Sequence, residues 1–206
     1  MPKQERSRRL VDAIVEAAQI VLAESGPDAL TTVNVAQRAG VSVGSLYQYF
    51  AGREALLFAI FEAEHARFAG AWRSWRAGGG SRTTEQRIAE GLALALAHYR
   101  RLASLEPRFY LAHRDEIARA VRSERSARAK LAARGTTRDD LLRARGILRP
   151  ERLDRPDAAS FLMTYGVPGI LDAALAHDPA ILATPEFETE LRALIEGYLL
   201  GSPAAS

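Results

Sequence analysis

The chain contains no cysteine, which excludes disulfides and thiolate chemistry and suits a reducing compartment. No apolar run in its 206 residues approaches the roughly 20 needed to cross a bilayer. The opening MPKQERSRRL lacks the apolar centre of a secretory signal. A cytoplasmic protein with no membrane attachment is therefore expected. Charge of one sign is also scarce: a formal +3 and a pI near 9.5 are compatible with a polyanionic partner without requiring one. Alternating apolar and polar residues are missing too, so strands have no pattern on which to form. What the sequence does have is 48% hydrophobic content, enough for a sizeable core, spaced as in helices. The expected class is all-α without repeats.

The stretch from Thr31 to Phe50, TTVNVAQRAGVSVGSLYQYF, stands apart because its residue types and spacing imply a specific role. A Gly26-Pro27-Asp28 turn signal precedes it. A threonine hydroxyl at its start can accept a hydrogen bond from an orphan N–H of a new helix, which starts near Thr32. Val33, Val35 and Ala36 supply an apolar stripe, while Asn34, Gln37 and Arg38 are expected to face water. Gly40 stops this helix, because glycine reaches the left-handed conformation without a steric penalty. Ser42 then caps a second helix running through Tyr49. Such a pair is a helix-turn-helix, whose second helix enters the DNA major groove while the first crosses the backbone. Leu10, Ile14, Val15, Ala18, Val21 and Leu22 mark a supporting helix from Arg8 to Glu24, ended by Gly26.

In the second helix Val41 and Leu46 serve as apolar anchors, and Gly44 with Ser45 keeps the groove-facing surface small. Val43, Ser45 and Gln48 are the expected base contacts, with Gln48 able to bond adenine bidentately and Val43 able to meet a thymine methyl. Thr32, Ser42, Tyr47, Tyr49 and Arg53 are the expected phosphate contacts. Lys3, Arg6, Arg8 and Arg9 cluster ahead of the first helix, where they either reach phosphates and an adjacent minor groove or form a solvated tail.

The string L-T-T-x-x-V-A-x-x-A-G-V-S-x-G-S-L-Y-x-Y-F from Leu30 to Phe50, followed by A-G-R-E-A-L-L at Ala51 to Leu57, resembles the TetR (tetracycline repressor) family of transcriptional regulators. Arg53 stands where that family usually has lysine, and Tyr49 where histidine is frequent. The resemblance implies a three-helix DNA-binding head at 1–52 and a larger ligand-binding and dimerisation body at 53–206. It further implies a homodimeric repressor released from a palindromic DNA operator by a small apolar effector. Dimerisation would use the last two long helices, Asp157 to His177 and Pro185 to Leu200, through Phe161, Tyr165, Ile170, Leu171, Leu191, Leu194, Ile195 and Tyr198.

Beyond Phe50, the positions Leu56, Leu57, Ile60, Phe61, Phe68 and Trp72 mark a long helix from Arg53 to about Trp75, connecting head and body. Gly78-Gly79-Gly80-Ser81 is a flexible turn; without a preceding strand or a Gly-Lys-Ser/Thr ending it is no phosphate loop. A helix over Thr84 to Leu105 and a short one from Pro107 follow. An arginine- and alanine-rich exposed helix, interrupted at Gly135, is expected from Ser123 to about Arg145, and a connection from Leu148 to Pro156. The Asp157 to His177 helix should kink or break where Gly166, Pro168 and Gly169 interrupt it. Thr184 caps and Pro185 opens the last helix.

The body concentrates Phe68, Trp72, Trp75, Tyr99, Phe109, Tyr110, His113, Phe161, Met163 and Tyr165, which either pack as core or line an effector cavity. Glu62 with His65, and His113 with Glu116, have helical metal-ligand spacing, but the further inward carboxylates of a bundle site are lacking. His113-Arg114-Asp115 spells a kinase tripeptide without the rest of that signature. With no nucleophile–base pair and no cofactor loop, neither an enzyme, a metal site nor a cofactor is expected.

Overall fold

The computed structural model describes residues 2–78, 82–129 and 161–200, and every regular element among them is helical. The helices are α1 (Pro2–Ser25), α2 (Thr32–Ala39), α3 (Val43–Tyr47), α4 (Arg53–Ala77), α5 (Thr84–Ser104), α6 (Pro107–Ala129), α7 (Val167–His177) and α8 (Pro185–Leu199). Contacts group the chain into two units, Met1–Arg67 with Arg101–Val121, and Phe68–Arg100 with Arg122–Ser206. The divisions fall inside α4, α5 and α6.

In the first unit the apolar stripe of α1 is buried through Ile14, Val15, Ala18 and Leu22. Buried with it in this unit are Leu30, then Val35 and Ala36 of α2, Leu46 of α3, Phe50, and the Leu56, Leu57, Ile60 and Phe61 face of α4. Removing a leucine- or isoleucine-sized side chain from water contributes ~2 kcal/mol each, which holds helices as short as α2 and α3 in place. The chain turns where the sequence predicts. Gly26 closes α1 at φ 78, with its N–H on the Leu22 carbonyl, and Gly40 closes α2 in the left-handed region at φ 68. Val33 departs from expectation. Rather than joining the apolar stripe of α2 it is 57% exposed, because the buried face of so short a helix is filled by Val35 and Ala36.

Aromatic rings join the second and third turns of α4 to the first turn of α6 within this unit. Phe58 meets Phe109 edge-on at 5.1 Å, and Phe61 lies 5.9 Å from Phe109 and 5.5 Å from Tyr110. Behind them Glu64, 2% exposed, accepts from Arg67 at 2.6 Å and has Arg101 Nε 3.5 Å away. Burying a carboxylate is tolerable only with such cationic partners.

The second unit is closed by two consecutive residues of α5. Tyr99 donates to Asp172 on α7 at 2.9 Å, and Arg100 donates to the Leu182 carbonyl at 2.6 Å and to Glu188 on α8 at 3.0 Å. Around these polar ties pack Ile88, Leu92 and Leu96 of α5, with Leu171, Leu175, Leu182, Leu191, Ile195 and Leu199. The start of α5 is fixed by a reciprocal cap, in which Thr83 N–H bonds Gln86 Oε1 at 2.9 Å and Gln86 N–H bonds Thr83 Oγ1 at 3.3 Å. Its own backbone N–H, and then the Thr83 hydroxyl, hold the neighbouring Glu85 carboxyl below the usual carboxylate range. Thr184 caps α8 through Phe187 N–H at 3.3 Å, with Pro185 opening the helix as expected.

Two readings of the body need revision. The helix opening at Pro107 is not short: it runs 23 residues to Ala129, absorbing the start of the segment expected to begin separately at Ser123. Arginine and alanine are strong helix formers, and no glycine or proline interrupts them there. The remainder of the expected helix to Arg145, the Leu148 to Pro156 connection, the first residues of the Asp157 helix and the Gly79-Gly80-Ser81 turn lie outside the described residues. Further on, the break anticipated around Gly166 and Pro168 takes the form of a π-helical turn over Leu162–Gly166. Pro168 cannot donate to the carbonyl four residues earlier, and a widened turn accommodates the missing bond.

Candidate nucleic-acid interface

Each short helix of the first unit begins on a side-chain cap. Thr31 Oγ1 accepts from Asn34 N–H at 3.1 Å, and the Asn34 amide reaches back to the Ala29 carbonyl at 2.8 Å, so α2 is pinned to the turn before it. Ser42 Oγ accepts from Ser45 N–H at 3.0 Å and shares a 2.8 Å hydrogen bond with the Ser45 hydroxyl. The two serines therefore occupy one another, and the surface of α3 is preorganised at its first turn. Arg38 forks onto Glu24 at 3.2 and 3.3 Å, tying α2 to α1.

Because α3 buries only Leu46, the side chains expected to touch DNA are left exposed or half-buried. Gly44 and Gln48 are exposed, Val43 and Ser45 half-buried, and Tyr47 is 53% exposed. Tyr47 does not swing freely: its hydroxyl lies 3.3 Å from Thr32 Oγ1, which brings together two of the expected phosphate contacts from two helices. Tyr49, just beyond α3, is 39% exposed and donates to Ser7 Oγ at 3.4 Å, joining the end of the motif to α1. Ser7 was not foreseen, since a lone serine on a long helix gives no signal of a partner 42 residues away. Arg6 and Arg8 are exposed, and Arg9 pairs with Glu5 at 2.6 Å. The side chain of Lys3 lies outside the described residues.

Arg53, the first residue of α4, has a partner the sequence did not suggest. Its Nη2 donates to Glu106 Oε2 at 2.7 Å, and the Pro27 carbonyl lies 3.4 Å from the same nitrogen. Arg53 is still 46% exposed, against 21% for Glu106.

Residues 14–60, which contain the whole of this motif, match the family model for bacterial regulatory proteins of the tetR family. That segment is thereby a tetR-family regulatory domain. Solved structures similar to this chain extend the likeness in fold over its length. A TetR-family transcriptional regulator from Mesorhizobium loti is 19% identical with a TM-score of 0.63, over 95% of this chain and 97% of the other. The fatty acid degradation regulator FadR from Bacillus halodurans is 18% identical with a TM-score of 0.59, over 93% and 95%. A transcriptional regulator from a Rhodococcus species is 22% identical with a TM-score of 0.58, over 95% and 99%. At these identities the likeness carries the TetR all-α fold, a helix-turn-helix followed by a larger helical body. No curated protein matches this chain in sequence. The chain thus carries a tetR-family regulatory domain on an all-α fold of that kind, and among its described residues no helix is long and apolar enough to cross a membrane.

The body residues singled out from the sequence divide between the two units. Phe109, Tyr110 and His113 belong to the first, where His113 lies 5.0 Å from Phe58, 4.4 Å from Phe109 and 3.8 Å from Glu116. Stacked on Tyr110 at 5.4 Å is His65. The second unit holds a continuous row: His98 on Phe68 at 4.3 Å, Phe68 near Trp72 at 5.6 Å, and Trp72 near Trp75 at 4.6 Å. Tyr99 adjoins this row at His98, 5.7 Å away. Arg87 was missed; its guanidinium lies 5.4 Å from the Trp75 ring, with Nη1 on the Gly78 carbonyl at 3.0 Å. Phe161 and Tyr165 meet each other at 4.9 Å and stand 62% and 64% exposed, whereas Met163 is half-buried. Of the residues expected at a dimer contact, Leu194 is 56% exposed, and Ile170 and Tyr198 are half-buried. Leu171, Leu191 and Ile195 pack inside their own unit. Among the described residues, no cluster of three or more metal-ligating side chains occurs.

Proposed function

We propose that this regulator is a homodimeric repressor that binds a palindromic operator through α3 and is released by a small apolar effector. The supporting observation is the recognition surface itself: an exposed Gly44, Tyr47 and Gln48 on a helix capped by Ser42 and anchored by the buried Leu46. Val43, Ser45 and Gln48 read bases in this proposal. Thr32, Ser42, Tyr47, Tyr49 and Arg53 hold phosphates, with the DNA-binding function in 1–52 and effector binding and dimerisation in 53–206. The protein acts in the cytoplasm, on DNA rather than as an enzyme.

An effector is supported by the second unit's aromatic row. Trp75 Nε1 and Arg87 Nε are buried there without a hydrogen-bond partner among the described residues. Orphan buried donors cost about 1–3 kcal/mol each, so an acceptor on an otherwise apolar molecule would bind with advantage. Such a ligand releases DNA only if it prefers the conformation that does not fit the operator. Dimerisation is supported by the exposed, mutually contacting Phe161 and Tyr165, and by the exposed Leu194, since large apolar side chains left facing water suit a contact surface. A dimer presents two recognition helices to half-sites roughly 34–36 Å apart, or a multiple of that spacing.

Selection of bound sequences from a random duplex pool tests the proposal. A palindrome with strongly salt-dependent affinity is expected, and the same duplex then serves to screen small molecules for release. Absence of enrichment at low salt refutes the operator reading. A constitutive DNA-binding protein, the second reading, would give the palindrome but no releasing ligand.

A further inference from the structure

We propose that Glu106 sets the DNA affinity of this regulator by competing with backbone phosphate for Arg53. This rests on the proposed phosphate contact of Arg53, and the 2.7 Å Arg53–Glu106 pair carries it further. A carboxylate and a phosphate offer the same kind of charge-assisted acceptor to a guanidinium. Two anions drawn to one partly exposed guanidinium repel each other, so the carboxylate and the phosphate are alternatives. Arg53 is exposed enough for a phosphate to reach it, and the more buried Glu106 approaches it from the protein side.

The pairing is held by backbone on both sides rather than by two wandering side chains. Arg53 opens α4, where Leu56 N–H already bonds the Gly52 carbonyl. Glu106 lies in the connection between α5 and α6, where its own carbonyl accepts from Tyr110 N–H and Pro107 fixes the next backbone angle. The Phe58, Phe61, Phe109 and Tyr110 contacts hold the second and third turns of α4 against the first turn of α6, so the carboxylate just before α6 stays within reach of Arg53 at the start of α4. DNA binding then has to displace Glu106, and a guanidinium already half-neutralised contributes less to salt-dependent affinity than a free one.

The test measures anisotropy of a fluorescein-labelled, mixed-sequence duplex against salt for the full chain and its variants, with circular dichroism as the check on folding. Glu106→Gln should tighten binding by about threefold per protomer, the scale of a partly exposed ion pair. It should also steepen the slope of log K against log salt by up to about 0.9 per protomer, one additional phosphate neutralised. Glu106→Asp, which keeps the charge but withdraws the carboxylate by one methylene, should move the same way by less. Glu54→Gln removes a charge beside Arg53 without unpairing it and sets the gain due to net charge alone. In an Arg53→Gln background the Glu106→Gln gain should shrink to that level. The proposal is overturned if Glu106→Gln binds no tighter than Glu54→Gln, if it binds more weakly than the parent, or if its full gain survives in Arg53→Gln. Failure of the parent protein to show any salt-dependent binding is a separate result, which removes the DNA-binding reading itself and this inference with it.

Discussion

Gly91 and Gly70 both lie inside helices, yet the same substitution at each should move stability in opposite directions. A Cβ built on Gly91 would come 2.8 Å from Trp75 Cζ2, 3.1 Å from Cη2 and 3.3 Å from Cε2. The indole has little room to retreat, with Trp72 at 4.6 Å and the Arg87 guanidinium at 5.4 Å. Alanine gains about 1 kcal/mol over glycine in a helix interior, but forcing a methyl into filled space costs about 1–3 kcal/mol. Gly91→Ala should therefore lose about 1 kcal/mol net. At Gly70 an added Cβ meets nothing within 4 Å, so Gly70→Ala should keep most of the helix gain and stabilise by about 0.5–1 kcal/mol. Urea unfolding followed by circular dichroism and tryptophan emission measures both. The chain has only two tryptophans, Trp72 and Trp75, so emission from folded Gly91→Ala reports directly on the displaced ring. Equal or greater stability for Gly91→Ala with unchanged emission would refute the close seating of Trp75 on α5.

Three further outcomes are expected. Ser42→Ala removes both the cap of α3 and the hydrogen bond to the Ser45 hydroxyl, and should lower the stability of the first unit by about 1 kcal/mol in thermal melts; an unchanged melt would mean the cap contributes nothing. Tyr47→Ala should weaken binding to all duplexes alike, whereas Gln48→Ala should relax preference at one base pair by about 1–3 kcal/mol, as read by competition against single-base operator variants. Equal losses on every variant for Gln48→Ala would remove it from the base-reading set. Leu194→Arg should weaken self-association at least about tenfold in sedimentation equilibrium if its exposed side chain lies in the dimer contact, and an unaltered association constant would place that contact elsewhere.

The DNA-reading motif was legible in the sequence because its determinants are local. A hydroxyl three residues before the N–H it caps, a glycine that reaches φ 68 and a leucine on the one buried face of α3 act within a turn or two of themselves. The partners that modify this surface were not legible, because they arrive from far along the chain. Ser7 reaches Tyr49 across 42 positions, and Glu106 reaches Arg53 across 53. The aromatics show the same limit. Periodicity places Phe109 and Trp72 on helices, but only packing assigns one to the first unit and the other to the second. The length of α6 escaped for a different reason: scarcity of large apolar residues suggests a boundary where helix propensity in fact continues unbroken.

The ties from Tyr99 to Asp172 and from Arg100 to Glu188 span 73 and 88 positions of sequence. In polymer terms each closes a long loop, and doubling such a loop adds only about 0.6 kcal/mol to the entropy of closure. Both ties depend on Tyr99 and Arg100 staying adjacent on α5. A one-residue slip within α5 would therefore break both at once, however far apart their partners lie in sequence.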